Sequence, residues 1–149
     1  MLTIRDVTEC DRAAYEAMSR DFYSGDAVLY PISREKLDAT FAQALGKSPL
    51  MRLVMLEDEG ETVGYGNLSF TWSTEAGGVV CWVEEIYIQP QQRSKGYGKA
   101  FLAWVEQAYS GVCKRYRLEV CPHNPQAKRL YESIGYEMME YLPMVKDVN

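Results

Sequence analysis

Histidine is almost missing from this chain, which carries only His123 among its 149 residues. A Ser–His–Asp triad or a histidine-rich metal site needs His beside further catalytic or ligating groups. Only Cys121 lies close to His123 in the sequence. No C-x-x-C pair occurs, so we expect reduced cysteines and no bound metal. The four cysteines are Cys10, Cys81, Cys113 and Cys121.

Long apolar runs and an excess of positive charge are also lacking. No segment reaches the length of a transmembrane helix, and residues 1–6 do not follow the charged-then-apolar order of a signal peptide. We therefore expect a cytoplasmic protein without a membrane partner. The net charge of −5 and the pI of about 5.0 lack the basic footprint of a nucleic-acid binder. A cationic small molecule suits such an acidic body better.

What is present is typical of one globular domain over residues 1–149, with 47% hydrophobic and 25% charged side chains. Hydrophobic periodicity and capping residues predict the elements of this domain. In order, they are a strand at 2–5, a helix after a Thr8–Asp11 capping box, and a helix from Ser33 to Gly46. A hairpin follows at 51–56 and 62–72 around an acidic turn at 57–61, then a strand at about 79–88, a helix, a strand at 116–120, a helix, and closing strands at 136–141 and 143–146.

A glycine-bearing loop, Arg93-Ser94-Lys95-Gly96-Tyr97-Gly98-Lys99, separates an apolar strand from an amphipathic helix. Free backbone N–H groups at a helix start, with cationic side chains around them, favour a phosphate or pyrophosphate ligand. Phe101 stands where a dinucleotide fingerprint needs its third glycine, and no Walker A pattern occurs. The alternative is a loop whose glycines serve turn geometry alone.

A second pattern, N-x-x-A-x-x-x-Y-x-x-x-G-[FY], follows at the C-terminal side. Asn124 and Pro125 suit the start of a helix, and a glycine suits its end. Each of these residues could serve the fold alone. The pattern is made by Asn124, Ala127, Tyr131, Gly135 and Tyr136.

The loop fits R-x-x-G-x-G, and the two patterns in this order resemble the GNAT N-acetyltransferase superfamily, over Leu2 to Lys146. The resemblance implies an α/β fold of the α+β mixed-sheet kind: a mostly antiparallel twisted sheet, helices on both faces and a splayed central strand pair. It also implies acetyl-CoA as cosubstrate, entering the gap between the splayed strands. The implied coenzyme-binding residues are Ile86, Tyr87, Ile88, Arg93, Ser94, Lys95, Gly96, Tyr97, Gly98, Lys99, Asn124 and Lys128.

The implied activity is acetyl transfer to a primary amine by direct attack. Glu84 is the candidate base, because polyamine-type members of the family place a glutamate at the matching position. Strict strand alternation would turn Glu85 to the opposite face, yet Glu85 or a water chain stays open as the alternative base. Tyr131 fills the position at which many members carry the acid that protonates the leaving thiolate.

The acceptor is expected to be a small cationic amine, with protein N-terminal or lysine acetylation and a non-catalytic acyl-CoA-binding module as alternatives. Its pocket is expected among the 22–31 loop, the end of the 68–72 strand and the closing strands. Neither the acceptor, the acyl chain nor the oligomeric state follows from the sequence, although a homodimer is compatible with it. The candidate cup residues are Asp21, Tyr23, Asp26, Tyr30, Phe70, Trp72 and Tyr141.

Overall fold

The computed structural model describes residues 1–25 and 28–148, and it is built around one five-stranded sheet. The strands are β1 (Leu2–Asp6), β2 (Met51–Asp58), β3 (Glu61–Ser73), β4 (Gly78–Ile88) and β5 (Cys113–Leu118). They lie in the order β1-β2-β3-β4-β5; the first four are antiparallel, and β5 runs parallel to β4. The helices are α1 (Arg12–Phe22), α2 (Arg34–Leu45), α3 (Tyr97–Ala108) and α4 (Pro125–Ser133). The predicted mixed, mostly antiparallel sheet is confirmed.

Helices cover both faces of the sheet, as expected, and each face has its own apolar core. On the α1/α2 face, Tyr15 of α1 and Phe41 of α2 pack against Tyr65 of β3. On the α3/α4 face, the fully buried Phe101 of α3 packs among residues of β2, β3 and β4, with Tyr131 of α4 at the margin. Side chains of β4 therefore belong to one face or the other, and this decides what they can reach.

The local signals for helix starts act where the sequence predicts them. Ser33 accepts a hydrogen bond from the backbone N–H of Lys36 at 3.3 Å, and Asn124 Oδ1 accepts from that of Ala127 at 3.2 Å. The Thr8–Asp11 capping box is present, but it opens a 3-10 turn that precedes α1. The acidic hairpin turn is tighter than predicted, because β2 and β3 continue to Asp58 and from Glu61.

The predicted closing strands at 136–141 and 143–146 are wrong. Residues 136–148 form no strand, and from Glu140 to Val148 every side chain is exposed. A strand needs a partner for its backbone groups and a face on which to bury its apolar side chains. This segment has neither within the described residues, and Pro143 brings no N–H to a ladder.

The splayed strand pair follows from the unequal pairing of β4. Five residues of β4 pair with β5, from Val79 to Val83, and the last pair joins Val83 to Leu118. Beyond Val83, β4 has no partner in β5, and from Glu85 to Ile88 it pairs with β3 alone. One edge of β4 is therefore open where the chain continues towards the glycine-bearing loop.

Candidate active site

The glycine-bearing loop forms a concave set of backbone N–H groups at the start of α3. Ser94 and Gly96 both have a positive φ, 64° and 85°. The first recorded backbone bond of this helix runs from Ala100 N–H to Gly96 O at 3.0 Å. The N–H groups from Ser94 to Lys99 donate to no described residue. Such a nest at a helix N-terminus suits a phosphate, so this part of the loop fits the pyrophosphate of coenzyme A.

The side chains of the loop do not all face that nest. Arg93 Nε donates to Ile88 O at 2.9 Å, which ties the guanidinium to the end of β4. Lys95 Nζ donates to Gln92 Oε1 at 2.7 Å, and Tyr97 OH donates to Asp58. Lys99 is exposed and makes no ion pair with a described residue. The backbone N–H groups, the Ser94 hydroxyl and the Lys99 ammonium group are thus left available in the loop.

Gly98 lies in the first turn of α3, where no positive φ demands a glycine. An added Cβ would meet only Leu130 Cδ2 of α4, at 4.0 Å, which is ordinary van der Waals contact. The fold itself therefore tolerates a side chain at this position. A ligand that approaches the backbone closely would not.

The open edge of β4 directs backbone groups of Ile86 and Ile88 into the gap. Gln89 N–H donates to Val63 O at 2.9 Å, and bonded pairs alternate along an antiparallel ladder. The backbone N–H and C=O groups of Glu85 and Tyr87 therefore point towards β3. Those of Ile86 and Ile88 point into the gap. The Tyr87 side chain, one of the predicted coenzyme contacts, instead lies on the α1/α2 face and donates to Asp21 Oδ2 at 2.6 Å.

A β-bulge corrects the sequence-based orientation of the two glutamates. Asn67 pairs with Glu85 and Leu68 pairs with Val83, so Glu84 is an extra residue on β4. A bulge breaks the strict alternation of side chains. As a result Glu84 and Glu85 both line one pocket, and the expectation that Glu85 points to the opposite face is wrong.

The two carboxylates differ in their surroundings. Glu85 is buried; Tyr65 OH donates to its Oε1 and Asn67 Nδ2 to its Oε2, both at 2.8 Å. Burial raises the pKa of Glu85 above its ordinary value, although these two hydrogen bonds act in the opposite direction. Glu84 is exposed, and its Oε1 accepts from Ser69 Oγ at 2.6 Å.

Two adjoining pockets are both lined by Ser69 and Glu84. The first, of about 420 Å³, lies between the sheet and α2; the second, of about 370 Å³, lies where β4 and β5 diverge. The first is lined by Tyr23, Ala39, Thr40, Gln43, Met51, Asn67, Ser69, Glu84 and Glu85. The second is lined by Ser69, Thr71, Trp82, Val83, Glu84 and Glu119. No lysine or arginine lines either one in the described parts of the chain.

The structure does not bring most of the predicted cup residues together at these two pockets. Only Tyr23 lines a pocket, and Asp26 lies outside the described residues. Phe70 packs on the opposite face against Tyr109, because alternation along β3 turns it there. Tyr30, Trp72 and Tyr141 are exposed and line neither pocket, and Asp21 accepts a hydrogen bond from Tyr87. The polar pocket residues Asn67 and Ser69 have no motif that would have revealed them.

Tyr131 has its ring half-buried and its hydroxyl without a described partner. The ring packs at the margin of the α3/α4 core, 6.0 Å from the ring of Tyr136. Burial raises the pKa of Tyr131, which keeps the phenol protonated at neutral pH. Tyr131 thus presents a protonated phenol beside α3, the helix that begins at the glycine-bearing loop. Such a group can donate a proton.

Asn124 and Lys128, the remaining predicted coenzyme contacts, have local partners on α4. Asn124 Oδ1 caps the helix, which leaves its Nδ2 unassigned. Lys128 Nζ lies 3.7 Å from Glu132 Oε1 in an exposed pair. Within residues 1–25 and 28–148, no group of three or more His, Cys, Asp and Glu side chains has the arrangement of a metal site. Over the same ranges no helix is both long and apolar enough to cross a membrane.

Comparison with known proteins adds an independent line of evidence. Residues 12–136 match the model of the acetyltransferase (GNAT) family. A thialysine N-epsilon-acetyltransferase from Mus musculus is 30% identical over 141 residues, which cover 89% of this chain and 82% of the mouse protein.

Two solved structures share the fold. A possible acetyltransferase from Clostridium difficile 630 has a TM-score of 0.83 at 17% identity, covering 100% of this chain and 99% of that one. The aminoglycoside N-acetyltransferase AAC(6')-Iy, in complex with the bisubstrate analogue CoA-S-monomethyl-acetylneamine, has a TM-score of 0.80 at 16% identity, with the same coverage. Identities this low show similarity of fold alone.

Proposed function

Because this chain belongs to the GNAT acetyltransferase family and is an acetyl-CoA-dependent N-acyltransferase, we propose that it acetylates a primary amine of a small cationic molecule. The observation that carries the proposal is the position of Glu84. It is shared by two acidic pockets and lies at the first residue of β4 beyond the last pair with β5. A carboxylate there adjoins both the pockets and the open edge of β4.

The loop and the open edge supply what the coenzyme needs from the protein. We assign the pyrophosphate to the N–H groups from Ser94 to Lys99 and the charge of Lys99. Backbone groups of Ile86 and Ile88 would bind the extended arm as an added strand would. When bound, acetyl-CoA supplies an acetyl group activated as a thioester. We assign Ile86 N–H, which faces the gap, to the carbonyl oxygen of that group.

Glu84 is assigned as the base that removes the amine proton, directly or through water. Its exposed carboxylate spends one oxygen on Ser69 and has the other free to accept a proton. Both oxygens of Glu85 already accept hydrogen bonds from buried neighbours. Glu85 is therefore assigned to holding the pocket wall in shape rather than to proton transfer.

Tyr131 is assigned as the acid that delivers a proton to the departing thiolate. Its hydroxyl has no described partner to lose, and its raised pKa keeps the proton in place until it is needed. Burial raises the pKa of Cys81 to about 12, so this thiol offers no nucleophile. Direct attack by the amine requires none.

A small acceptor fits the dimensions and charge of the pockets. Volumes of about 420 and 370 Å³ are those of small-molecule sites. Their titratable lining is dominated by the carboxylates of Glu84, Glu85 and Glu119, which favour an ammonium group. The name of the mouse relative, a thialysine acetyltransferase, points the same way. Acetylation of a peptide or protein amine is the alternative activity.

The test is acetylation of a panel of small amines, amino acids, aminoglycosides and N-terminal peptides by wild type and Glu84→Gln. We expect small cationic amines to be preferred, and Glu84→Gln to lower kcat by about 10²–10⁴-fold while coenzyme binding persists. Preference for peptides over every small amine would contradict the substrate class. Full activity of Glu84→Gln with an unchanged pH profile would contradict its role.

We extend the proposal to a homodimer, because the C-terminal segment exposes apolar side chains that a second copy would cover. Leu142, Met144 and Val145 are 88–94% exposed, and among the described strands the far edge of β5 is unpaired. Light scattering of wild type and of a Leu142→Asp, Val145→Asp double variant decides the matter. A dimer that becomes a monomer in the variant supports it, and a monomeric wild type refutes it.

A further inference from the structure

Glu119 is a carboxylate of the second pocket to which no role has been assigned. The parallel pairs of β4 and β5 end at Val83 and Leu118. Glu84 is the next residue of β4, and Glu119 directly follows the end of β5. Both side chains line the second pocket. The point at which the strands diverge is therefore bracketed by two carboxylates.

Neither carboxylate is neutralised by the part of the protein that the structure describes. Glu84 accepts from the Ser69 hydroxyl and joins no ion pair, and Glu119 joins none. Two uncompensated carboxylates that line one pocket repel each other. The repulsion between Glu84 and Glu119 is unfavourable in the protein without a ligand. A cation bound between the two carboxylates would remove it.

Arg117 does not fill this role. It pairs with Trp82 across the strands, and its guanidinium carbon lies 4.3 Å from the centre of the indole ring. No ion pair joins it to Glu119. The indole thus keeps Arg117 occupied beside the pocket, and the carboxylate remains available to a ligand.

The adjoining pocket is lined by a residue whose buried acceptor has no described donor, and an N–H group of a ligand would supply one. Asn67 is only 8% exposed, its Nδ2 donates to Glu85, and its Oδ1 has no described partner. A buried acceptor without a donor costs about 1–3 kcal/mol, so such groups are satisfied by water or by ligand. Asn67 lines the first pocket, which joins the second at Ser69 and Glu84.

We propose that Glu119 is a specificity-determining residue that binds a second cationic group of the acceptor. The inference rests on the proposed function: the amine to be acetylated lies at Glu84, and a second ammonium group of the same molecule lies at Glu119. The preferred acceptor is then a diamine rather than a monoamine of equal length. Because the Glu119 side chain is exposed, this preference weakens as salt rises.

The test compares diaminobutane with butylamine, two probes of the same chain length. In kcat/KM, Glu119→Gln should lose about fivefold with the diamine, the upper end for one partly exposed ion pair, and little with the monoamine. Glu137→Gln removes the same charge from an exposed site outside both pockets and serves as the matched control. It should leave both amines unaffected.

Calorimetric binding of diaminobutane to the coenzyme A complex separates the two proposals. If the wild type acetylates neither amine, the proposed function fails, and binding still decides the role of Glu119. Weaker binding by Glu119→Gln than by Glu137→Gln supports that role. Equal binding by both variants, no measurable binding by the wild type, or an equal loss with both amines overturns it.

Discussion

Glu84 and Glu85 are consecutive residues whose side chains share one pocket, because the bulge on β4 leaves Glu84 opposite no residue of β3. The same bulge leaves one carboxylate exposed beside Ser69 and the other buried between Tyr65 and Asn67. Two identical side chains therefore experience different solvation. Different chemistry at neutral pH follows from position alone.

The buried state of Glu85 predicts a pH-dependent contribution to stability. Its pKa is raised in the folded protein, so folding favours the protonated form. The stabilisation is complete below the unfolded pKa, about 4.3, and falls as the pH rises through the folded pKa. Glu85→Gln lacks this loss, so its free energy of unfolding should improve relative to wild type as the pH rises above about 4.3.

Urea unfolding of both proteins across the acidic to neutral range measures this difference. Glu137→Gln, an exposed carboxylate outside the pockets, should show no such trend. A Glu85→Gln curve parallel to wild type at every pH would mean that Glu85 titrates alike in the folded and unfolded states.

Much of the fold was predictable because its signals are local. Ser33 and Asn124 identify helix starts by their own side chains, and the spacing of Phe101 and Val105 identifies the buried face of α3. The loop is also local: its pattern spans a few residues, and the structure brings its N–H groups together.

The shared pocket of the two glutamates and the second pocket beside it were not predictable, because they depend on pairing between distant residues. The bulge arises from the register of β4 against Asn67 and Leu68, and no single-strand pattern reports it. In the C-terminal segment, a local pattern predicted an element that does not form. Its apolar residues suit a strand, but no described strand pairs with it.

Gly66 is required by close packing rather than by its backbone angles. A Cβ at this position would lie 2.2 Å from Cζ of Phe101, which is fully buried. Gly66→Ala should therefore lower the free energy of unfolding by about 1–3 kcal/mol, the usual cost of overpacking. Chemical denaturation measures the change.

The double variant Gly66→Ala, Phe101→Leu tests the cause. Leucine is smaller than phenylalanine and should relieve part of the clash with the added Cβ. The double variant should therefore lose less free energy of unfolding than the two single variants added together. Additive losses would show that Gly66 acts through something other than Phe101.

Tyr131→Phe should separate chemistry from packing. The ring remains to fill its place, and the hydroxyl gives up no described hydrogen bond, so stability should change by less than about 0.5 kcal/mol. Loss of the proton donor should lower kcat by about 10²–10⁴-fold with little change in coenzyme binding. Steady-state kinetics measures the change in kcat, and thermal unfolding measures the change in stability. Unaltered turnover would mean that another group, or water, protonates the thiolate.

Gly98→Val tests the coenzyme-binding loop without disturbing the fold. The structure leaves room for a side chain at Gly98, with Leu130 Cδ2 4.0 Å from the position of an added Cβ. Helix propensity should not penalise the change, because glycine is about 1 kcal/mol and valine at most about 0.7 kcal/mol less favourable than alanine in a helix. The valine would nevertheless cover the N–H groups that we assign to the pyrophosphate. At about 100 times the dissociation constant, coenzyme A should stabilise the wild type by roughly 2.7 kcal/mol, and the variant should lose that gain.

Ala103→Val provides the matched control, because Ala103 is an exposed residue of the same helix. It introduces the same valine, at a propensity cost of at most about 0.7 kcal/mol relative to alanine, and it lies one turn beyond Lys99, the last residue with a free N–H group. Thermal shift with and without coenzyme A should show a full ligand-induced rise for wild type and Ala103→Val, and none for Gly98→Val. An equal rise in a folded Gly98→Val protein would place the pyrophosphate elsewhere, because a valine at this position and a phosphate at the same N–H groups exclude each other.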